Sequence, residues 1–266
     1  GVAEWNLAKW LTHDELDLLF PHIDAVVHAG ALVKPTGKVD EGLMYNTNVR
    51  ASLNLGQWAL SRDIPMVYIS GAIVYENPYA FMQDESSVTG WSGLGGFYGF
   101  TKLLAEDMLF RLRQKGLKLA LLRPTSIYGE GLDKERMVQR FLSTARDNGV
   151  IEINEPISDG FDLVHAADVS SLTLAALKGE CWKTLNVSSS DFVSVSELAQ
   201  ACVDVAGGGR IVVKGKPLPD TQPKVMYSLD NSRVYDHLAW SPVIGIHKGL
   251  SMLLKGQYVA DEFSNK

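Results

Sequence analysis

Tyr98 and Lys102 stand four residues apart in the run Tyr98-Gly-Phe-Thr-Lys102. On a helix that spacing puts both side chains on one face. A phenol titrates near ~10, and an ammonium group beside it favours the phenolate. A phenol tuned in this way can exchange a proton with a substrate hydroxyl or carbonyl during a hydride transfer. The lysine can also bind the hydroxyls of a ribose. An exposed tyrosine and a solvated lysine on an ordinary helix share the same spacing, so its context must decide.

The elements that would hold such a pair alternate between short buried strands and amphipathic helices. Asp24–His28 is a β-branched run that ends in Ala29-Gly30-Ala31. Asn48–Leu60 reads as a helix, Pro65–Ser70 as a strand and Tyr98–Leu112 as a helix on a 3.6-residue period. Lys118–Arg123 is an almost unbroken apolar strand ended by Pro124. Asp168–Leu177 reads as a helix with Asp168 as its N-cap, and Thr184–Val187 as another strand. Unbroken apolar strands suit a parallel sheet covered on both faces, and strand–helix alternation implies right-handed crossovers. After Ser190 the pattern changes: a helix over Val195–Ala206, a Gly/Pro-rich run from Gly207 to Pro223, and a last helix near His247–Tyr258. The fold expected is α/β, a Rossmann-like doubly wound parallel sheet with a smaller C-terminal substrate lobe.

Composition narrows the function classes. The chain has 266 residues, 46% hydrophobic, with a net charge of −6. That balance argues against nucleic-acid binding, which needs a basic surface to displace counterions. The longest apolar runs are strand-sized, well below the ~20 residues of a membrane span. Cys181 and Cys202 offer neither a disulfide framework nor metal-ligand spacing, and no signal peptide is recognised, so the cytoplasm is the expected compartment.

In this order the blocks resemble the extended short-chain dehydrogenase/reductases, the NAD-dependent epimerase/dehydratase family. The resemblance is carried by Asp24-Ala-Val-Val-His-Ala-Gly-Ala31, Asn46-Thr-Asn48-Val, Tyr68-Ile-Ser-Gly-Ala-Ile-Val-Tyr75, the Tyr98/Lys102 pair, Leu122-Arg-Pro-Thr-Ser-Ile-Tyr-Gly129, Asp162-Leu-Val-His-Ala-Ala-Asp-Val169, and Leu238-Ala-Trp-Ser-Pro242. It implies NAD or NADP as cofactor, a small-molecule substrate and a homodimer formed through the Tyr98 helix. It implies Tyr98 as acid/base, Lys102 as pKa tuner and ribose ligand, and Ser70 as a substrate donor. Cofactor contacts are implied at Asn6, Leu7, Ala29, Gly30, Ala31, Asn48, Ile69, Pro124 and Thr125, and substrate contacts at Gly71, Ala72 and Ser126. Asn48 is expected to order Lys102 or a water near it. No metal site is expected. The division expected is 1–128 with 161–189 for the cofactor half, and 129–160 with 190–266 for the substrate lobe.

Three departures from the family qualify that reading. The family opens with a strand, a glycine-rich turn and a helix that hold the pyrophosphate. Here Val2–Leu7 already resembles the end of the third strand, so roughly 55–60 residues of a Rossmann half are expected to be missing. The run Val88–Gly96 spells Thr-Gly-x-x-Gly-x-x-Gly, but Gln83–Ser87 before it is no buried strand, and a substrate-side loop is the better reading. Gly71 occupies the position of the family's catalytic Ser/Thr, and Ser70 points the other way along a strand. Lys216–Ser228 carries only Lys216 and Lys224 where nucleotide-sugar enzymes grip a diphosphate, which disfavours a UDP-sugar. A non-catalytic relative that uses the same cleft for binding is the alternative. His28 and His165 read as structural histidines, Lys134, Glu135, Arg136 and Arg140 as the solvated face of a helix, and Arg123 as the partner of an unnamed acid.

Overall fold

The structure, a computed structural model, describes residues 4–33, 40–92, 94–217 and 224–256. Helix α1 (His13–Leu19) starts at a reciprocal cap between Thr12 and Glu15. Strand β1 (Val26–His28) follows, then α2 (Glu41–Tyr45), a π-helical turn (Asn46–Arg50) and α3 (Ala51–Ser61) in one continuous rod. Next come β2 (Met66–Ile69), α4 (Gly96–Gln114), β3 (Leu119–Pro124), β4 (Ser126–Tyr128) and α5 (Met137–Arg146). The chain continues with β5 (Val150–Asn154), β6 (Gly160–His165), α6 (Ala166–Lys178), β7 (Thr184–Val187), β8 (Phe192–Ser194) and α7 (Val195–Ala206). It closes with β9 (Arg210–Lys214), β10 (Val225–Met226), α8 (Ser232–Leu238) and α9 (Ile246–Lys255).

The central sheet runs β1-β2-β3-β7, every pair parallel. Alternate residues of one strand serve opposite faces, as the two-residue repeat requires. Met66, Tyr68, Leu119 and Leu121 pack with Leu16, Leu55, Trp58 and Leu109 beneath α1, α3 and α4. Val67, Ala120, Leu122 and Leu185 pack on the other side with Leu172 and Ala176 of α6 and with Trp240. All six residues of β3 are buried, which accounts for its unbroken apolar sequence. Helices α3 and α4 come together at Gly56, where a side-chain Cβ would lie 2.6 Å from a Leu109 methyl.

The smaller lobe has its own core, built on Tyr128, Phe141, Ile151, Leu163, Leu198, Cys202 and Leu250. Strands β10, β6 and β4 form one parallel ribbon with β8 antiparallel on β6, and β5 pairs in parallel with β9. Strand β9 falls inside the Gly/Pro-rich run; residues 218–223 of that run lie outside the described residues.

Several local expectations shift. Residues 4–7 form no strand: the Asn6 side-chain oxygen accepts from Ala8 N–H at 3.0 Å and its carbonyl from Lys9 N–H. A side chain that bonds its own backbone turns the chain away from a ladder. Residues 2 and 3 lie outside the described residues. Helix α6 begins two residues earlier than expected, with His165 rather than Asp168 as its cap. Lys134, Glu135 and Arg136 precede α5 instead of lying on it. The last helix ends at Lys255, and Tyr258 lies outside the described residues. Both cysteines are buried and free, and burial pushes the Cys202 thiol up to about 12. Among the described residues no helix is long and apolar enough to cross a membrane, and no cluster of metal-ligating side chains occurs.

Candidate active site

Three carboxyl ends of the central sheet converge on the first two turns of α4. The small residues after β1, the Ser70-Gly71-Ala72 turn after β2 and the Pro124-Thr125-Ser126 segment after β3 form this rim. In an open parallel sheet such a rim is where ligands bind.

Lys102 is 3% exposed, and its ammonium donates to the Ile69 carbonyl at 2.8 Å. It lies 4.9 Å from the Tyr68 ring centre and 5.9 Å from that of Tyr98. Burial pushes its pKa down to about 8, and Glu106 one turn further along α4 opposes this. Of its three N–H groups one is spent on Ile69, its only hydrogen-bond partner among the described residues. Tyr98 is half-buried. Burial raises its phenol, and the positive charge that opposes burial is Arg136. The lysine is anchored on β2 and makes no hydrogen bond to the phenol among the described residues.

Asn48 sits in the π-helical turn, fully buried. Its side-chain oxygen accepts from Leu32 N–H at 2.7 Å, and its amide donates to the Leu32 carbonyl and to the Thr101 hydroxyl. The Thr101 hydroxyl donates to the Tyr98 carbonyl. Asn48 thus ties the loop after β1 to the turn of α4 that bears the pair, and its side chain is spent on that task. Nearby, the Ser52 hydroxyl donates to the Asn48 carbonyl, so it receives its second bond from His28 Nε2–H at 2.9 Å. Burial pushes His28 down to about 4, a neutral structural histidine. His165 accepts from Ala167 N–H and is structural as well.

Ala29 and Gly30 are exposed at the rim, with Ala31 partly so. A Cβ on Gly30 would lie 2.7 Å from a Leu7 methyl, so Leu7 packs directly against this loop. Asn6 is exposed and spends its side chain on its own turn. The Thr125 hydroxyl turns inward to Asp162, whose other contacts are Ser188 and Ser189. Pro124 and Ala72 are buried, and Ser126 is exposed. Ser70 is buried and its hydroxyl has no partner among the described residues. Gly71 is extended at φ 176°, ψ 157°, and a Cβ there would meet nothing nearer than 3.7 Å. The backbone does not require glycine at 71.

Two groups escaped the sequence reading. Glu106 is the acid that holds Arg123: the carboxylate accepts two donors at 2.7–3.2 Å with both side chains buried. Its signal was available, since Glu106 follows Lys102 by four residues on one helix face. Arg136 left no such signal, because it stands just before α5, far from Tyr98 in the sequence. The 88–96 run leads into α4 with no strand before it; Thr89 bridges Tyr75, and Gly93 lies outside the described residues.

Known proteins align with this architecture. RMD from Pseudomonas aeruginosa, solved with NADPH, superposes with a TM-score of 0.79 over 96% of this chain and 87% of its own, at 24% identity. The UDP-N-acetylglucosamine 4-epimerase of Bacillus cereus gives 0.78 over 92% and 82%, at 21% identity. These likenesses establish the fold. Among curated sequences, the polyketide synthase-nonribosomal peptide synthetase ACE1 of Pyricularia oryzae is 26% identical over 171 residues, 60% of this chain. The chain spans only 4% of that protein's length. Residues 2–188, which take in the central sheet, its rim and part of the smaller lobe, match the family described as NAD dependent epimerase/dehydratase, and to that family this chain belongs.

Proposed function

We propose that the chain forms the nicotinamide and substrate side of an NAD(P)-dependent epimerase, dehydratase or reductase acting on a hydroxyl or carbonyl of a small molecule. One observation carries the reading: Tyr98 and Lys102 share the rim end of α4, and the lysine is an almost fully buried ammonium with two N–H groups uncommitted among the described residues. A desolvated cation with spare donors suits a ribose diol, and Ala29, Gly30 and Ala31 leave room for a flat ring. The cofactor fits these residues, with Ile69 and Pro124 as walls and Leu7 behind Gly30. Hydride transfer is the chemistry NAD(P) supplies when bound. Tyr98 then donates or accepts the proton at the substrate oxygen, and Lys102 holds the ribose. The structural neighbours solved with NAD or NADPH support that cofactor choice.

A fluorescence titration with NADH and NADPH tests cofactor binding directly. With a turned-over substrate in hand, Tyr98→Phe should keep cofactor affinity and lose activity by 10² or more, the scale of a positioned acid/base. Equal activities would sink the catalytic assignment. Gly71 favours a second reading, a relative that binds in this cleft without turnover; cofactor binding with no activity toward any hydroxyl or carbonyl substrate would support it. The homodimer through α4 stands as a further proposal, suited by Phe110, which is exposed under the Arg113 guanidinium. Sedimentation checks it.

A further inference from the structure

A cavity of about 180 Å³ opens beside the rim, with Ser126, Arg136, Met137, Gln139, Phe161 and Leu198 among its lining residues. Its walls are largely apolar, and a cavity of ~150 Å³ is enough for a benzene-sized group. Two polar features stand out. Arg136 is an exposed guanidinium with no ion pair among the described residues, in the turn before α5. Gln139 donates to the Gly129 carbonyl at 3.0 Å, and its side-chain oxygen is buried without a partner among the described residues.

Resting on the reading above, we propose that Arg136 determines substrate specificity by binding a carboxylate, so that the substrate is an apolar-bodied acid whose reacting oxygen reaches Tyr98. Three observations support this. Arg136 faces the same cavity as Ser126, a residue of the rim, and its charge opposes the burial that raises the Tyr98 phenol. That cavity is the one that would hold the body of the substrate. Its planar fork of donors matches a carboxylate in two-point contact. The segment after β9, by contrast, offers Lys224, whose ammonium lies 6.0 Å from the Tyr79 ring and not in this cavity.

The test compares 3-phenylpropionate with 3-phenylpropionamide, which share shape and differ in charge. Calorimetry on the intact protein should find the acid bound about tenfold more tightly. Arg136→Gln should erase that preference and leave the amide unchanged, whereas Arg140→Gln on the exposed side of α5 should keep it. Equal affinities, binding of neither compound, or a preference that survives Arg136→Gln would overturn the proposal. NADH titration of the same samples judges the cofactor reading separately: retained NADH binding leaves that reading standing while the assignment of Arg136 falls.

Discussion

Gly71 and Ser70 pose a question that a single hydroxyl answers. An enzyme of this chemistry gains about 10²–10³ in rate from one well-placed donor to the substrate oxygen. Here the neighbouring Ser70 has a buried hydroxyl with no partner among the described residues, and Gly71 has room for a Cβ. The two positions make opposite predictions. If Ser70 supplies the donor, Ser70→Ala should cut kcat by about 10². Gly71→Ser should then change little. If the donor is lacking, Ser70→Ala should be silent, and Gly71→Ser should raise kcat by up to about 10². An extended backbone at 71 accepts serine without strain, so either variant should remain folded.

At the scale of elements, α4 carries both the chemistry and its anchor. Tyr98, Lys102 and Glu106 recur every four residues, and Glu106 fastens the helix to β3 through Arg123. The pair is buried, the Arg123 guanidinium lies 4.9 Å from the Tyr75 ring, and Tyr75 donates to Asn186 on β7 at 2.6 Å. Glu106→Gln strands the Arg123 charge and should cost about 3–5 kcal/mol in urea unfolding. Replacing both residues, Glu106→Leu with Arg123→Met, should recover most of that loss. Failure of the double variant to recover would mean that the pair contributes more than charge compensation. The element pattern was legible in the sequence because β3, α4, β7 and α7 have apolar repeats of the right period. Asn6 and the 166–168 start were not, since a side chain that caps its own turn overrides a propensity drawn from a longer window.

At the scale of the molecule, Asp168 fastens the two cores together. From the first turn of α6 it accepts from Val243 and Ile244 N–H, each at 3.1 Å, and so clamps the segment before α9 to the central sheet. Asp168→Asn keeps the shape but exchanges one acceptor for a donor that faces an N–H. It should cost about 1–3 kcal/mol, and native-state hydrogen exchange should speed up in residues 240–256 before it does in β2 or β3. Uniform acceleration across the chain would show that the clamp is not local. Contacts of this kind join residues 75 or more positions apart. Local period says nothing about them, and nothing about Arg136 beside the rim, whereas Tyr98, Lys102 and Glu106, spaced by four on one helix, left a legible signal.

The π-helical turn has a genetic consequence. Ala51 N–H bonds back to the Asn46 carbonyl, five residues away, so the rod from Glu41 to Ser61 holds one residue more than an α-helix needs. Removing one codon between 46 and 50 would let the rod close into a regular helix. Everything upstream would then rotate by about 100° against α3. A helix of better local geometry would result, with Asn48 no longer able to reach Leu32 and Thr101 together. A single-codon deletion scan across this rod should therefore find its least tolerated positions at 46–50.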